Sequence, residues 1–388
     1  MENFTFKSPT QFIFGMDTHK RAGKYVAQCG GKRALVLYGG GSVLRSGVLH
    51  EVVDSLDAAG VDCVTLGGVQ PNPGSSFVYK AIEAAREARV DFLLAVGGGS
   101  VIDTAKAVAM GAPYGGDFLD FYRGKPVEEA LPLGVVLTIP AAGSEGSPNT
   151  VITDEENKIK KGTKADCLRP QFAILNPQLT FTLPKYQSAC GISDMMSHIL
   201  ERYFSKTPDN AVTDRMCEAV LLAVKDVAMR VIIDNEDYQA QANLMWAGML
   251  AHNNICGVGR EQDWASHALA HQISALFDSA HGAVLAVIFP AWMRYCLDED
   301  VERFARLAAN VWEVPESDDK RQMALAGIER YQEFLRGLGL PTKLAHLDVP
   351  EESIPELVEL LVASNGPTVG NFKKLTAADA EAIYRLAL

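Results

Sequence analysis

An α/β half built on a parallel sheet, followed by an all-helical half, is the fold class this sequence predicts. Three observations predict it. Short apolar runs that end in glycine alternate with helical periodicity as far as about Pro184. Beyond that residue the pattern is almost wholly long and helical. Three of the eight histidines, His267, His271 and His281, crowd into one short stretch of the second half.

Taken in order, Phe4–Phe14 alternates loosely and predicts a hairpin at a sheet edge, and Lys20–Gln28 predicts a helix. Arg33–Tyr38 is a short apolar run stopped by Gly39-Gly40-Gly41-Ser42, the signature of a buried strand. A helix follows over Val48–Ala59, with Val52, Val53, Leu56 and Ala59 on one face. Val61–Leu66 predicts a strand, Gly67–Ser75 a loop carrying Pro71-Asn72-Pro73, and Phe77–Ala88 a helix. Asp91–Val96 predicts the next strand, followed by Gly97-Gly98-Gly99-Ser100 and a helix over Val101–Met110. Leu133–Ile139 is a further strand, and Pro140–Glu145 its loop. Strands that alternate with helices form a parallel sheet whose ligands bind at the carboxyl ends of the strands, where these glycine and polar loops fall.

From Tyr186 the predicted helices are Ile192–Phe204, Asn210–Arg230, Tyr238–Asn253, Asp263–Phe277, His281–Tyr295, Val301–Trp312, Lys320–Leu338 and one starting at Ala377. The expected domains are therefore 1–184 and 185–388, and a chain of 388 residues suits that division.

Composition narrows the function. With 48% hydrophobic and 22% charged residues the chain reads as globular, and a net charge of -12 speaks against nucleic acid or an anionic membrane as partner. No apolar run is long enough to predict a membrane span, and the polar stretch Met1–Lys7 predicts no secretory signal. The seven cysteines are scattered with no C-x-x-C pair, which predicts reduced thiols in a cytoplasm.

Two motifs carry chemistry. On a helix, His267 and His271 stand on one face, as do Asp194 and His198, because each pair is four residues apart. The break Phe277–Ala280 turns His281 back toward the same point. Together these faces offer one carboxylate and up to four imidazoles, a donor set for Fe(II), Zn(II) or another borderline divalent ion; a satisfied pair of core histidines is the alternative for either face alone. The second motif is Gly97–Ser100 between a strand and a helix. Glycines admit a pyrophosphate and the helix start supplies free N–H groups, although Ser100 also suits a plain helix cap. Ile102 stands where a G-x-G-x-x-G fingerprint needs its third glycine, so this is not the usual dinucleotide motif.

Asp103 reads either as a contact to a nicotinamide ribose or amide, or as an acid complementing the helix dipole. Thr138 and Ser144 add hydroxyls at the next strand end, with loop capping as the alternative. Lys160 and Lys161 lie in a polar hairpin-like segment, as solvated surface or as a phosphate contact. His19, His50 and His346 lie in polar surroundings, and His252 beside Asn253-Asn254 reads as structural. No acidic residue occurs between Thr18 and His50, so the loop Gly39–Ser42 lacks the carboxylate that selects a ribose 2′-hydroxyl. That predicts NADP(H) favoured over NAD(H), the alternative being that the glycines only make a tight turn.

On Pro71-Asn72-Pro73, the segment Gly97–Lys106 (GGGSVIDTAK), the segment Thr138–Glu145 (TIPAAGSE), Asp194-x3-His198, His267-x3-His271, His281-Gly282 and the tail Leu375–Tyr384, the chain resembles the iron-containing (group III) alcohol dehydrogenases over nearly its whole length. Tyr38–Ser42, Pro184–Gln187 and Asp263–Ala265 look most like the butanol dehydrogenase and NADPH-dependent aldehyde reductase branch. The resemblance implies a dehydroquinate-synthase-like fold: a dinucleotide-binding α/β domain and an all-α metal-binding domain. A homodimer acting on a small alcohol or aldehyde is expected. The resemblance implies a metal, Fe(II) or Zn(II), held by Asp194, His198, His267 and His281, with His271 off the metal near the nicotinamide. Cofactor contacts are implied from Gly40, Gly41, Ser42, Asn72, Gly98, Gly99, Ser100, Asp103, Thr138 and Lys160. One departure is Ala142, where the family usually has a threonine.

The expected activity is hydride transfer between NAD(P)(H) and a primary alcohol or aldehyde, with His271 as a relay for the alcohol proton. Two alternatives stand beside it. A dehydroquinate-synthase-like lyase would need basic residues around the metal, and Asp263–Pro290 contains no Lys or Arg. A non-enzymatic metal-binding protein would leave the glycine loop and Asn72 without a task.

Overall fold

A computed structural model describes residues 1–388. The chain forms two compact units, one of Lys7–Leu183 and one of Met1–Phe6 with Pro184–Leu388.

The first unit is built on strands β1 (Gln11–Phe14), β2 (Arg33–Tyr38), β3 (Asp62–Gly67), β4 (Phe92–Gly97), β5 (Leu133–Leu137) and β8 (Phe172–Leu175), with β6 (Asn149–Asp154) and β7 (Ile159–Lys164) as a separate antiparallel hairpin. The main sheet runs β1-β8-β5-β4-β2-β3 and is parallel throughout. Its central strands β4, β5 and β8 are buried at every residue, which is why they read as unbroken apolar runs. Edge strand β3 is largely exposed and carries Asp62 and Thr65. Helices α1 (Ala22–Gln28), α2 (Ser42–Arg45), α3 (Val48–Ala58), α4 (Ser75–Glu87) and α5 (Gly99–Gly111) provide the connections.

The order fixes where a ligand belongs. From β2 the chain steps outward to β3, then returns across β2 to β4 on its other side. Strands β2 and β4 therefore flank the point where the winding reverses, and in open α/β sheets ligands bind there, beyond the carboxyl ends. The loops leaving those two strands are Gly39–Gly41 and Gly98, the two glycine clusters of the sequence.

The hairpin expected over Phe4–Phe14 does not form. Only Gln11–Phe14 is a strand, and it pairs in parallel with β8. The residues before it are held elsewhere: the Met1 amino group donates to Pro208 O at 3.0 Å and Glu2 N donates to Gly259 O at 2.9 Å, so the chain start belongs to the helical unit. The partner β8 escapes sequence reading because it is four residues long and sits between Pro170 and Pro177.

The second unit contains α6 (Lys185–Tyr203), α7 (Ala211–Ile233), α8 (Tyr238–His252), α9 (Ala265–Phe277), α10 (His281–Cys296), α11 (Val301–Asn310), α12 (Lys320–Gly337), α13 (Ile354–Asn365) and α14 (Ala377–Leu386). Gly282–Met293 of α10 is continuously buried, the mark of a central helix apolar on all sides. Around it pack α6, α9, α12 and α14. Helix α13 is not among the predicted helices; Pro355 falls in its first turn, where the missing N–H costs nothing. No helix is long and apolar enough to cross a membrane.

Candidate metal centre and nucleotide-binding loops

Helix α6 carries Asp194 and His198, α9 carries His267 and His271, and His281 opens α10. Asp278, with φ 49°, ends α9 in the left-handed region and reverses the chain, as the short break in the sequence requires. The close approach of α10 to α6 depends on Gly282: a Cβ there would lie 2.0 Å from Cys190 O. Glycine thus brings the start of α10, and His281 with it, against the α6 face that bears Asp194.

The result is a tight group. The donor atoms of Asp194, His267 and His281 all lie within 4.8 Å of one another. His198 is not among those three, but its Nε2 is 3.7 Å from Asp194 Oδ1 and its ring stacks on that of His267 at 4.7 Å. The ring of His271 lies 6.4 Å from His267 and 5.0 Å from His281, at the margin of the group. His252, read from sequence as structural, stacks on His198 at 4.1 Å and accepts from Arg202 Nη2 at 3.1 Å.

Glu201, which sequence reading missed, explains how His267 is held. Its Oε1 accepts from His267 Nδ1 at 2.8 Å and from His267 N at 2.9 Å, and its Oε2 accepts from Trp264 N at 2.7 Å. A carboxylate only accepts, so the imidazole carries a proton on Nδ1, and in the neutral ring the lone pair is on Nε2. That lone pair faces Asp194 Oδ1 at 3.8 Å, and neither atom has a hydrogen-bond partner although both are buried. In the neutral ring these are two bare acceptors, and a cation between them would satisfy both. A signal for Glu201 was present, since it lies on the face of α6 that carries Asp194 and His198, two turns and one turn away.

The electrostatics agree. Burial lowers the affinity of His267 for a proton, but the Asp194 and Glu201 carboxylates outweigh it and raise its pKa, marking a site that attracts positive charge. Burial, followed by His252, His267 and Arg202, holds His198 well below the usual histidine range, so it is neutral and able to ligate. Burial pushes the nearby Cys190 thiol up to about 12, and its sulfur is not among the three grouped donors. One carboxylate oxygen with imidazole nitrogens fits Fe(II) or Zn(II) and leaves out the thiolates of a closed structural zinc site.

In the α/β unit the sequence candidates gather at the carboxyl edge of the sheet. Gly40, Gly41 and Ser42 follow β2, Asn72 lies beyond β3, Gly98, Gly99 and Ser100 follow β4, and Thr138 follows β5. Lys160 on β7 joins them, its Nζ donating to Asn72 Oδ1 at 2.8 Å. The hairpin that carries it is pinned where Thr153 N donates to Pro73 O at 2.9 Å and Glu155 Oε2 accepts from Ser76 N at 2.7 Å. The turn is tight: a Cβ at Gly97 would lie 2.5 Å from Val101, and one at Gly98 would press on Ile139 at 3.0 Å. Ala142 sits over the same turn, 3.5 Å from a Cβ built on Gly99.

Asp103 does something neither sequence reading supplied. Its Oδ1 accepts from Ser144 Oγ at 2.6 Å and its Oδ2 from Val151 N at 3.0 Å, so both oxygens fasten the loop after β5 and the start of the hairpin. Lys106, fully buried, completes this joint by donating to Ser144 O, Ser147 O and Asn149 O at 2.7–2.9 Å. Ser144 is therefore part of a structural lock.

Comparison with known proteins supplies the class. The model of the iron-containing alcohol dehydrogenases matches residues 9–177, and that of the family's C-terminal part matches residues 188–388. The chain belongs to the iron-containing alcohol dehydrogenase family and is an oxidoreductase. Within it, the chain falls in the butanol dehydrogenase and aldehyde reductase branch. It is 40% identical over its whole length, and that of the relative, to the probable NADH-dependent butanol dehydrogenase 1 of Bacillus subtilis. It is 34% identical, with the same full coverage, to the NADPH-dependent aldehyde reductase of Escherichia coli. The crystal structure of NADH-dependent butanol dehydrogenase A from Thermotoga maritima superposes with a TM-score of 0.96 at 39% identity, covering 100% of this chain and 99% of that one. The lyase and non-enzymatic alternatives are thereby set aside.

Proposed function

We propose that this protein interconverts a primary alcohol and its aldehyde, of the size of butanol and butanal, with a nicotinamide cofactor and one divalent metal, Fe(II) or Zn(II). Asp194, His198, His267 and His281 would hold the metal. The observation that carries this reading is the buried, unpartnered pair Asp194 Oδ1 and His267 Nε2 within the three-residue donor group. When bound, such an ion polarises the substrate oxygen as a Lewis acid, and the nicotinamide gives or takes the hydride.

The chain's own residues do the rest. Helix α5 starts at Gly99 and runs to Gly111, so its first N–H groups, bared by Gly98 and Gly99, are suited to a pyrophosphate. Lys160, steadied by Asn72, adds a positive charge at the same edge. His271 lies beside His281 without belonging to the tight donor group, and it retains partial exposure, so its imidazole suits relay of the alcohol proton to solvent. Asp103 acts by holding the loop and hairpin in place.

The cofactor reading is NADP(H) over NAD(H). It is supported by the absence of any carboxylate between Thr18 and His50, and by Arg45 Nη1, which lies 3.5 Å from where a Cβ on Gly41 would stand. The similar proteins named above include both NADH- and NADPH-dependent enzymes. The free cysteines accord with a reducing cytoplasm.

The test is absorbance at 340 nm with butanal and NADPH or NADH, on protein of measured metal content. Cofactor oxidation that requires butanal and saturates with it is expected. Saturable turnover of neither butanal nor butanol with either cofactor would overturn the reading.

A further inference from the structure

We infer that Glu201, which lies outside the ligand set, is the positioning residue that fixes His267 for metal binding. The inference rests on the metal reading above. Glu201 is fully buried, and its carboxylate has no lysine or arginine partner; its bonds go to His267 N, His267 Nδ1 and Trp264 N. A buried carboxylate without a cation is costly. Here the imidazole stands between Glu201 at Nδ1 and Asp194 at Nε2, with separations of 2.8 and 3.8 Å. A divalent ion at the Nε2 side would balance the two carboxylates through one ring.

The geometry also fixes register. Glu201 O accepts from Asp263 N at 2.9 Å, and Glu201 Oε2 accepts from Trp264 N, so backbone and side chain of one α6 residue together seat the start of α9. Trp264 is held in the left-handed region, at φ 68°, where a non-glycine residue needs such support. Helix α6 thus supplies Asp194 and, two turns on, the group that orients the partner ligand from α9. A carboxylate behind a ligating imidazole fixes its tautomer and raises its basicity, and loss of such a partner typically weakens metal binding roughly 10–100-fold.

The experiment compares wild type, Glu201→Gln and His267→Ala by zinc competition against a chromophoric chelator, together with thermal unfolding of the metal-free forms. Glutamine keeps the shape but removes the charge and one of the two acceptor oxygens, so zinc affinity should fall roughly 10–100-fold, and the metal-free melting temperature should fall as well, because one of the N–H groups at Trp264 and His267 loses its acceptor. A Glu201→Gln protein that binds zinc like wild type overturns the inference while leaving the metal reading intact. Wild type that binds no more zinc than His267→Ala overturns both. Should Glu201→Gln fail to fold, nitrogen-15 histidine spectra of zinc-loaded wild type decide the matter. They should show an imidazole, lost in His267→Ala, with its proton on Nδ1 and its metal on Nε2; the reverse tautomer overturns the inference.

Discussion

Lys160 Nζ donates to Asn72 Oδ1 at 2.8 Å, joining two residues that are 88 positions apart. Asn72 sits in a loop beyond β3 with φ 52°, and Lys160 stands on a hairpin strand bonded to that loop. The pair lies where the sheet presents its carboxyl ends. Replacing Lys160 with Met should raise KM for the nicotinamide cofactor by roughly 10-fold or more, the value of a hydrogen bond to a charged group, with a smaller change in kcat. Steady-state kinetics at varied cofactor concentration check this; an unchanged KM removes Lys160 from the cofactor site.

Chelation should abolish turnover, and Fe(II) or Zn(II) should restore it. His267→Ala should lose bound metal and activity together, because it removes the nitrogen that faces Asp194 and strands a buried Glu201. Metal analysis beside the 340 nm assay tests both. Full activity in verified metal-free protein would show that the metal plays no part in the chemistry.

His271→Phe should keep the metal and slow turnover by ~10²–10⁴-fold, the usual worth of a general acid–base group. Its ring lies 6.4 Å from that of His267, and it is absent from the tight donor group. Loss of metal in this variant would make His271 a ligand; an unaltered rate across pH would remove it from proton transfer.

Gly40→Asp should raise KM for NADPH far more than for NADH. The position accepts a side chain without strain, because a Cβ there meets no atom within 4 Å and its φ is not positive, unlike that of Gly41 at 100°. The introduced carboxylate would repel a 2′-phosphate and suit a 2′-hydroxyl. A wild-type kcat/KM that favours NADH would already contradict the proposed preference.

Gly282→Ala should damage the metal centre without touching a ligand. Its Cβ would lie 2.0 Å from Cys190 O, a backbone atom, so α10 must move away from α6. Overpacking of this kind costs about 1–3 kcal/mol, and His281 moves with the helix. A lower melting temperature together with weaker zinc retention is expected; wild-type values for both would show that α10 adjusts without consequence for the site.

What the sequence determined by itself was periodic or local. Buried strands such as Arg33–Tyr38 and Phe92–Gly97 announce themselves as apolar runs closed by glycine. Long helices declare their faces, which put Asp194 beside His198 and His267 near His271. The rest was decided by packing between segments far apart in the chain. The strand Phe172–Leu175 is too short to carry a period, and the chain start is drawn to Pro208 and Gly259 by backbone bonds that no pattern encodes. Asp103 reads as a cofactor contact or a complement to the helix dipole, and its bonds to Ser144 and Val151 N, with those of Lys106 to the backbone around them, add a lock that no local pattern encodes. Glu201 shares its helical face with two candidate ligands, but only the packing of α6 against α9 turns that face into a hold on His267, because a hydrogen bond at 2.8 Å depends on where two helices meet.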